Sequence, residues 1–336
     1  MSFSAAMRLA IEHAERVKGA TYPNPPVGAV ILDVDGRVVG AGGTEPAGGP
    51  HAEVVALRRA GELAAGGTAV VTLEPCNHHG STPPCVDALL AAGVSRVVYA
   101  VADPNPVAAG GAARLARDGV EVVEGVLADT VAGGTLREWL HKQRPGLPHV
   151  TWKYAASVDG RSAAADGTSQ WITSEAARAD VHRRRAAADA IIVGTGTVTA
   201  DDPALTARRP DGSLAERQPL RVVVGEREIS PDARVLSHES TTMLIRTHDP
   251  HEVIKALADR TDILLEGGPT LAGAFLRAGT VDRILAYLAP MLLGGPVTAV
   301  DDVRVPTLAR ASRWQFDGID RIGPDVVLSL VPAQRP

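Results

Sequence analysis

The function of this sequence is most clearly indicated by His51-Ala52-Glu53, which is followed by Pro75-Cys76 and then by Cys85. One imidazole and two thiolates can bind zinc and leave its fourth tetrahedral position open, as catalytic zinc sites require. Zinc in such a site lowers the pKa of bound water and makes hydroxide available at neutral pH. Glu53, two residues after a ligand, is placed to carry protons rather than to bind metal. The pattern predicts His51, Cys76 and Cys85 as zinc ligands and Glu53 as the catalytic residue.

A core histidine and two cysteines that are buried thiols or a disulfide would produce the same pattern without a metal. The sequence has 2 Cys in 336 residues, and both belong to the pattern. Met1–Ala10 has no apolar core, so we expect no signal peptide and a cytoplasmic chain, in which disulfides are rare. A structural zinc would normally have a fourth Cys or His ligand. The order His-x-Glu, Pro-Cys, Cys is instead typical of zinc-dependent nucleobase deaminases.

Length and composition favour a two-domain soluble enzyme that acts on a small molecule. A chain of 336 residues is long for one compact α/β layer. Hydrophobic residues make up 45% and aromatic residues 3%, so the cores should consist of Val, Leu, Ile and Ala. The net charge of −5 provides no basic field for nucleic acid, and no apolar run approaches the roughly 18 residues that span a bilayer. We expect no nucleic-acid or membrane partner; a homo-oligomer is compatible with the sequence, but no motif specifies one.

Apolar periodicity predicts alternating helices and strands in the first half of the chain. Helices are expected at Ser4–Val17, His51–Ala64, Pro84–Ala92 and Thr130–Gln143, and strands at Val27–Leu32, Arg37–Ala41, Thr68–Leu73 and Arg96–Val101. This alternation predicts a sheet with helices on both faces. It also places His51 and Cys85 at or near helix N-termini, where partial positive charge favours the Cys85 thiolate.

A cluster of helix breakers, Arg144-Pro145-Gly146-Leu147-Pro148, predicts a domain boundary. The expected domains are residues 1–145 and 149–336, and the second begins with a strand at His149–Ala155. In this half, strands at Ala190–Val193 and Asp262–Leu265 each run into a glycine-rich turn. Such turns let backbone N–H groups approach phosphate oxygens. From the residues alone, a plain strand-to-helix turn is the more frequent case, and neither turn is a G-x-G-x-x-G fingerprint.

The run Leu73–Cys85, LEPCNHHGSTPPC, closely resembles the deaminase segment of the bifunctional riboflavin-biosynthesis enzymes, which join a pyrimidine deaminase to a pyrimidine reductase. Eight residues separate its cysteines, whereas cytidine and transfer-RNA adenosine deaminases typically have Cys-x-x-Cys. Similar segments continue through the second half, at Lys153–Arg161, Ser169–Ser174, Ala200–Thr206 and Glu266–Ala274. The resemblance implies an α/β protein with an N-terminal cytidine deaminase-like three-layer α/β/α domain. A C-terminal dihydrofolate reductase-like α/β domain would use NADPH.

The resemblance also implies roles for individual residues. The NADPH site would contain Ala155, Trp171, Thr197, Asp201, Gly268, Pro269, Thr270, Leu271, Ala272, Gly273 and Ala274. The ribosyl phosphate substrate would contact Ser169, Arg185, Leu205, Arg208 and Glu266, with Lys153 near the reducible carbon. For Arg185, within Arg183-Arg184-Arg185, a solvated basic helix face is the alternative. The family often has Gly at the position of Ala155 and Ser at that of Asn77, and some members have Ser at that of Gly225.

Two further residues are expected in the deaminase pocket. Asn24 lies in the stiff loop Tyr22-Pro23-Asn24-Pro25-Pro26-Val27-Gly28, and the matching Asn of the family contacts the pyrimidine. A turn residue between prolines is the alternative. His78 lies between the two cysteines and would either contact substrate or remain solvated, and His79 is expected outside the zinc shell.

The zinc pattern together with the family resemblance implies two sequential reactions. The first is hydrolytic deamination of 2,5-diamino-6-(5-phosphoribosylamino)pyrimidin-4-one, and the second is NADPH-dependent reduction of its ribosyl side chain to ribityl. A monofunctional zinc nucleoside or base deaminase with an inactive C-terminal domain is the main alternative, which the intact strand–glycine–helix turns disfavour. A zinc-folded binding module would need a fourth ligand. A nucleic-acid editor would need basic and aromatic residues interleaved near the zinc loop.

Overall fold

The computed structural model describes residues 1–80, 82–301 and 303–333. The chain forms two compact units, Met1–Gly146 and Leu147–Pro336, and it passes from one to the other inside the predicted cluster of helix breakers. Each unit has its own core of buried, mainly aliphatic side chains. Among the described residues, no helix is both long enough and apolar enough to cross a membrane.

The described residues of the first unit contain one five-stranded sheet. Its strands are β1 (Gly28–Leu32), β2 (Val38–Gly43), β3 (Thr68–Leu73), β4 (Arg96–Val101) and β5 (Glu121–Val123). The helices are α1 (Phe3–Val17), α2 (Ala52–Ala60), α3 (Cys85–Ala91), α4 (Gly111–Arg117), α5 (Ala128–Ala132) and α6 (Arg137–Gln143). The strand order is β2-β1-β3-β4-β5. Strand β1 is antiparallel to both of its neighbours, and β3, β4 and β5 are parallel.

Helices α1 and α2 cover opposite faces of this sheet, as predicted. A Cβ atom on Gly28 would lie 1.9 Å from the Ala10 carbonyl oxygen of α1, and one on Gly40 would lie 2.2 Å from the Ala56 carbonyl oxygen of α2. Gly28 pairs with Gly43, three residues along β2 from Gly40. Since successive strand residues point to opposite faces, Gly28 and Gly40 face opposite ways. The small residues let both helix backbones lie directly on the strands.

Two predicted helices of this unit differ from the structure. The single helix expected at Thr130–Gln143 is wrong: α5 ends at Ala132 and α6 begins at Arg137. Gly133 and Gly134 lie in the break, and glycine is costly in a helix interior because it loses the most backbone entropy. The helix expected at His51–Ala64 is α-helical only to Ala60 and continues as a short 3₁₀ segment, Gly61–Ala64.

The described residues of the second unit contain an eight-stranded sheet. Its strands are β6 (His149–Ser157), β7 (Ala190–Gly194), β8 (Leu220–Val224), β9 (Thr242–Ile245), β10 (Asp262–Leu265), β11 (Arg283–Ala289), β12 (Trp314–Ile322) and β13 (Asp325–Pro332). Helices are α7 (Glu175–Ala187), α8 (Thr195–Asp201), α9 (Pro250–Ala256) and α10 (Pro269–Arg277). The order is β12-β13-β11-β6-β10-β7-β8-β9. Strands β11, β6, β10, β7, β8 and β9 are parallel to their neighbours in this series, so their carboxyl ends meet at one edge of the sheet.

Candidate active sites

The three predicted zinc ligands lie together at the carboxyl end of β3. His51 immediately precedes α2, Cys76 follows β3, and Cys85 is the first residue of α3. His51 Nδ1 is 3.6 Å from Cys76 Sγ and 3.3 Å from Cys85 Sγ. Zinc bonds of about 2.0–2.1 Å to nitrogen and 2.3 Å to sulfur place tetrahedral ligand atoms roughly 3.5 Å apart. The donor set and its spacing therefore fit a zinc ion.

Glu53 lies in the first turn of α2 and is 4% exposed. Burial, together with the negative charge of Cys76, raises the pKa of the Glu53 carboxyl group to about 7. A hydrogen bond from the Cys85 thiol lowers the pKa of Cys76 to about 4, and the same bond, with burial, raises the pKa of Cys85. A cation held by the three ligands would favour both thiolates and oppose the shift at Glu53.

A cavity of about 380 Å³ opens beside these residues. The predicted substrate residues Asn24 and His78 both line it, together with His51, Glu53 and Cys76. The Nδ1 atom of His78 is buried and has no hydrogen-bond partner within the described part of the chain. His78 thus has a donor or acceptor available for a bound molecule.

Several residues of this cavity were not predicted from the sequence. They are Thr44, Glu74, Asp103, Asn105, Trp139 and Gln143. Trp139 and Gln143 are one helical turn apart on α6, and no local motif marks them. Glu74 accepts backbone hydrogen bonds from Asp103 at 3.1 Å, Gly110 at 3.2 Å and Ala112 at 3.0 Å. The Glu74 carboxylate therefore holds the β4–α4 loop against the end of β3. In the sequence, Glu74 was marked only by its position two residues before Cys76.

The second unit contains a cavity of about 820 Å³ at the edge where the parallel strands end. Eleven of the seventeen residues predicted for the reductase site line it. They are Lys153, Ala155, Ser169, Thr197, Asp201, Glu266, Gly268, Pro269, Thr270, Leu271 and Ala274. The structure thus brings together residues from β6, from α8 and from the turn between β10 and α10.

Glu266 has a largely buried acidic side chain in this cavity, and two basic side chains lie next to its carboxylate. Arg185 of α7 donates two parallel hydrogen bonds to its carboxylate, at 2.7 Å and 2.8 Å, and Lys153 Nζ lies 3.9 Å from it. Burial alone would raise the pKa of Glu266, but the charges of Arg185 and Lys153 outweigh burial and lower this pKa to about 2. Burial lowers the pKa of Lys153. Arg185 is outside the cavity lining and acts on the site through Glu266.

Five other residues predicted for the reductase site do not line this cavity, and they are either buried in the core or at the surface. Ala272 and Gly273 lie on the buried face of α10, and Leu205 is packed in a core cluster. Arg208 donates to the Gly212 carbonyl oxygen at 2.9 Å. Trp171 is 66% exposed, with the Arg178 guanidinium 4.5 Å from its ring centre. The substrate and cofactor roles of these residues stay predictions.

The second cavity also includes residues to which the sequence assigned no individual contact. They are Tyr154, Ser162, Ala163, Gly167, Gly194, Thr195, Gly196, Ala200, Val224, Gly225, Arg227, His248, Gly267, Arg277, Val297 and Ala299. Of these, Gly194–Gly196 and Gly267 belong to the two glycine-rich turns singled out above, and Gly225 to a position compared with the family. Arg227 and His248 follow β8 and β9, two strands with no motif beyond apolar residues. Their proximity to the predicted residues follows from strand order, which the sequence pattern does not specify.

Comparison with known proteins identifies both units. Residues 2–101 match the cytidine and deoxycytidylate deaminase zinc-binding region, and residues 148–328 match the RibD C-terminal domain. The chain is 73% identical over 330 residues to the riboflavin biosynthesis protein RibD of Mycobacterium tuberculosis, which covers 98% of this chain and 97% of that protein.

Solved structures also resemble the whole chain. The structure of RibD from Acinetobacter baumannii has a TM-score of 0.87 and 38% identity over 99% of each chain. A diaminohydroxyphosphoribosylaminopyrimidine deaminase/5-amino-6-(5-phosphoribosylamino)uracil reductase from Thermotoga maritima has a TM-score of 0.87 and 31% identity over 98% of this chain and 99% of that one. These matches confirm the predicted α/β fold, with a cytidine deaminase-like first domain and a reductase second domain. The chain therefore belongs to the RibD family of bifunctional riboflavin-biosynthesis proteins.

Proposed function

We propose that this chain catalyses two successive steps of riboflavin biosynthesis, one in each unit. The first unit removes an amino group from the diaminopyrimidinone ribosyl phosphate, and the second reduces the ribosyl side chain to ribityl. The observation that carries this proposal is the group of His51, Cys76 and Cys85 beside the buried Glu53, on the same chain as the Glu266–Lys153 cavity. The second cavity disfavours a deaminase whose C-terminal domain is inactive.

In the first site, His51, Cys76 and Cys85 would hold the metal. One nitrogen and two sulfur donors suit zinc rather than magnesium or calcium, which prefer oxygen ligands. Zinc, when bound there, acts as a Lewis acid that makes water nucleophilic at neutral pH. Cys76 also accepts a hydrogen bond from the Cys85 backbone N–H, with a distance of 3.4 Å. This contact and the start of α3 hold the two sulfur atoms close to His51 Nδ1.

Glu53 would move the protons of the deamination. Its carboxylate accepts a proton from the water that attacks the amine-bearing carbon, and then donates it to the departing nitrogen, which leaves as ammonia. Its position supports this role, because the first turn of α2 places it next to His51 and in the wall of the cavity. Asn24 would present the donor and acceptor of its amide to the pyrimidine edge. His78 would use its unpartnered Nδ1 in the same pocket.

In the second site, Glu266 would bind ribose hydroxyls. A carboxylate has about four acceptor positions, and Arg185 occupies two of them, so the remaining positions can face the cavity. NADPH, when bound, supplies the hydride that adds to C1′ of the ring-opened ribose. The reduction also consumes one proton, which we assign to the Lys153 ammonium group because it lies beside Glu266 in the cavity wall. The glycine-rich turn before α10 would hold cofactor phosphate on backbone N–H groups.

We also propose that the protein works in the cytoplasm on this small-molecule substrate. Both cysteines are free thiols in the structure, and zinc binding requires them to stay reduced.

A paired assay tests the two-step function. The zinc-loaded protein is given the diaminopyrimidinone ribosyl phosphate and NADPH, and ammonia release and NADPH oxidation are followed together. We expect one molecule of ammonia and one oxidised NADPH for each substrate molecule. Ammonia without NADPH oxidation would instead support the monofunctional deaminase. Neither signal from zinc-loaded protein would contradict the substrate assignment.

A further inference from the structure

The cavity of the second unit contains positive charge that the proposed reduction does not use. Its lining includes four basic residues, Lys153, Arg227, His248 and Arg277. Lys153 pairs with Glu266, and Arg277 is also engaged within the protein. The side chains of Arg227 and His248 are exposed, and neither has a hydrogen bond or ion pair with any described residue. These two side chains are therefore available to bind an anion.

Strand order places Arg227 and His248 far from Lys153, the residue next to which the reduction is proposed to occur. Lys153 is on β6, Glu266 follows β10, Thr195 follows β7, and Arg227 and His248 follow β8 and β9. Neighbouring strands are about 4.8 Å apart, so the strand before Arg227 lies roughly 14 Å across the sheet from β6. The cavity lining runs from Lys153 on β6 to His248 after β9. A cofactor with its nicotinamide beside Lys153 and its diphosphate at the β10–α10 and β7–α8 turns would extend its adenosine end toward Arg227.

Hydrogen bonds next to Arg227 and His248 hold the two loops that carry them. The Gly225 N–H donates to the Ile245 carbonyl oxygen at 3.1 Å, which joins the ends of β8 and β9. Thr247, just before His248, is buried and hydrogen-bonded to Glu252. The loops that carry Arg227 and His248 are therefore held side by side.

The acidic residues of the cavity are engaged elsewhere. Glu266 is bound by Arg185, and Asp201 accepts a hydrogen bond from Ser169 at 3.4 Å. Glu226 and Glu228, which flank Arg227 in sequence, are exposed and do not line the cavity. No acidic side chain in the described cavity lining thus pairs with Arg227.

We infer that Arg227, together with His248, binds the 2′-phosphate of NADPH and sets the preference for NADPH over NADH. The two cofactors differ only in this phosphate, which carries close to two negative charges at neutral pH. A guanidinium binds phosphate with two parallel hydrogen bonds, and an arginine after a strand of an α/β sheet is a frequent means of accepting the 2′-phosphate. This inference rests on the proposed reductase function and identifies the residues that select its cofactor.

Binding of cofactor fragments tests the inference without relying on turnover. Calorimetric titrations with adenosine 2′,5′-bisphosphate and with AMP compare wild type, Arg227→Gln, His248→Asn and Arg310→Gln. Arg310 is an exposed arginine outside the cavity lining and serves as the matched control. We expect wild type to bind the bisphosphate about tenfold tighter than AMP, and Arg227→Gln to remove most of that difference. His248→Asn should remove a smaller part, and Arg310→Gln none.

Steady-state kinetics with the full-length enzyme distinguishes failure of this inference from failure of the proposed reductase function. The ratio of kcat/KM for NADPH to that for NADH should fall about tenfold in Arg227→Gln. A wild-type preference that survives in both Arg227→Gln and His248→Asn would overturn the inference and leave the reductase function intact. Wild-type protein that binds no NADPH would overturn both.

Discussion

The Glu266 carboxylate is held by two hydrogen bonds from Arg185, and both side chains are largely buried. Removing one partner of a buried ion pair costs about 3–5 kcal/mol. Lys153, 3.9 Å from Glu266, would offset only part of that loss, because it is beyond hydrogen-bond distance of the carboxylate. We therefore expect Arg185→Met to lower the free energy of unfolding of the second unit by that amount at pH 7, and Arg185→Lys to lower it less. Urea denaturation measures both. An unchanged free energy in Arg185→Met would show that the pair is not formed in solution.

The Glu266–Arg185 pair should also make the free energy of unfolding depend on pH. The pKa of Glu266 is about 2 in the folded chain, below its ordinary value of 4.5. The pair's stabilisation should be complete above about pH 4.5 and should be lost as the pH falls toward 2, because in this range the unfolded chain binds a proton at Glu266 and the folded chain does not. The difference in unfolding free energy between wild type and Arg185→Met should accordingly shrink below pH 4.5. A difference that grows with acidity would contradict the assignment.

Single residues were predictable where chemistry restricts the residue type. Zinc accepts few side chains, so His51, Cys76 and Cys85 stood out from the sequence, and the structure places them within ligand distance of one another. Trp139 and Gln143 carry no such restriction. They reach the first cavity only because α6 packs there, which depends on tertiary contacts that no local pattern encodes.

At the scale of elements, α4 is packed closely against the segment that carries Cys76. Gly111 is its first residue, and a Cβ atom there would lie 1.8 Å from the Pro75 carbonyl oxygen. We expect Gly111→Ala to displace Pro75 and Cys76 and to speed zinc loss to a colorimetric chelator several-fold. Ala113→Ser adds one atom on the exposed side of the same helix and should leave the rate unchanged. Equal rates in wild type and Gly111→Ala would show that α4 does not fix this ligand.

Elements were predictable where a single pattern defined them. The strands Thr68–Leu73, Arg96–Val101 and Asp262–Leu265 have the predicted bounds, because each is a short apolar run between turn residues. The helix expected at Thr130–Gln143 was wrong because its apolar spacing continues through Gly133 and Gly134, and the cost of two glycines outweighs that spacing. Periodicity identifies which residues are apolar, whereas glycine decides whether the backbone can continue as a helix.

At the scale of the whole molecule, the two compact units should respond separately to zinc. The ligands all belong to Met1–Gly146, and metal binding adds its free energy to the folded state of that unit. We expect calorimetry to resolve two unfolding transitions, and chelation to lower the temperature of one only. Isolated residues 1–146 should reproduce the zinc-dependent transition, and residues 147–336 the other. A chelator shift of equal size in both transitions would contradict separate folding.

If one chain performs deamination and reduction at two distinct sites, Glu53→Gln should abolish the first activity and leave the second. The substitution keeps the size of the side chain but removes the carboxylate that moves the protons. Zinc-loaded Glu53→Gln is assayed with the diamino substrate and, separately, with the already deaminated substrate and NADPH. We expect ammonia release from the first to fall at least about a hundredfold, while NADPH oxidation with the second stays at the wild-type rate. Ammonia release at the wild-type rate, or loss of both activities in a folded, zinc-loaded variant, would contradict the two-site function.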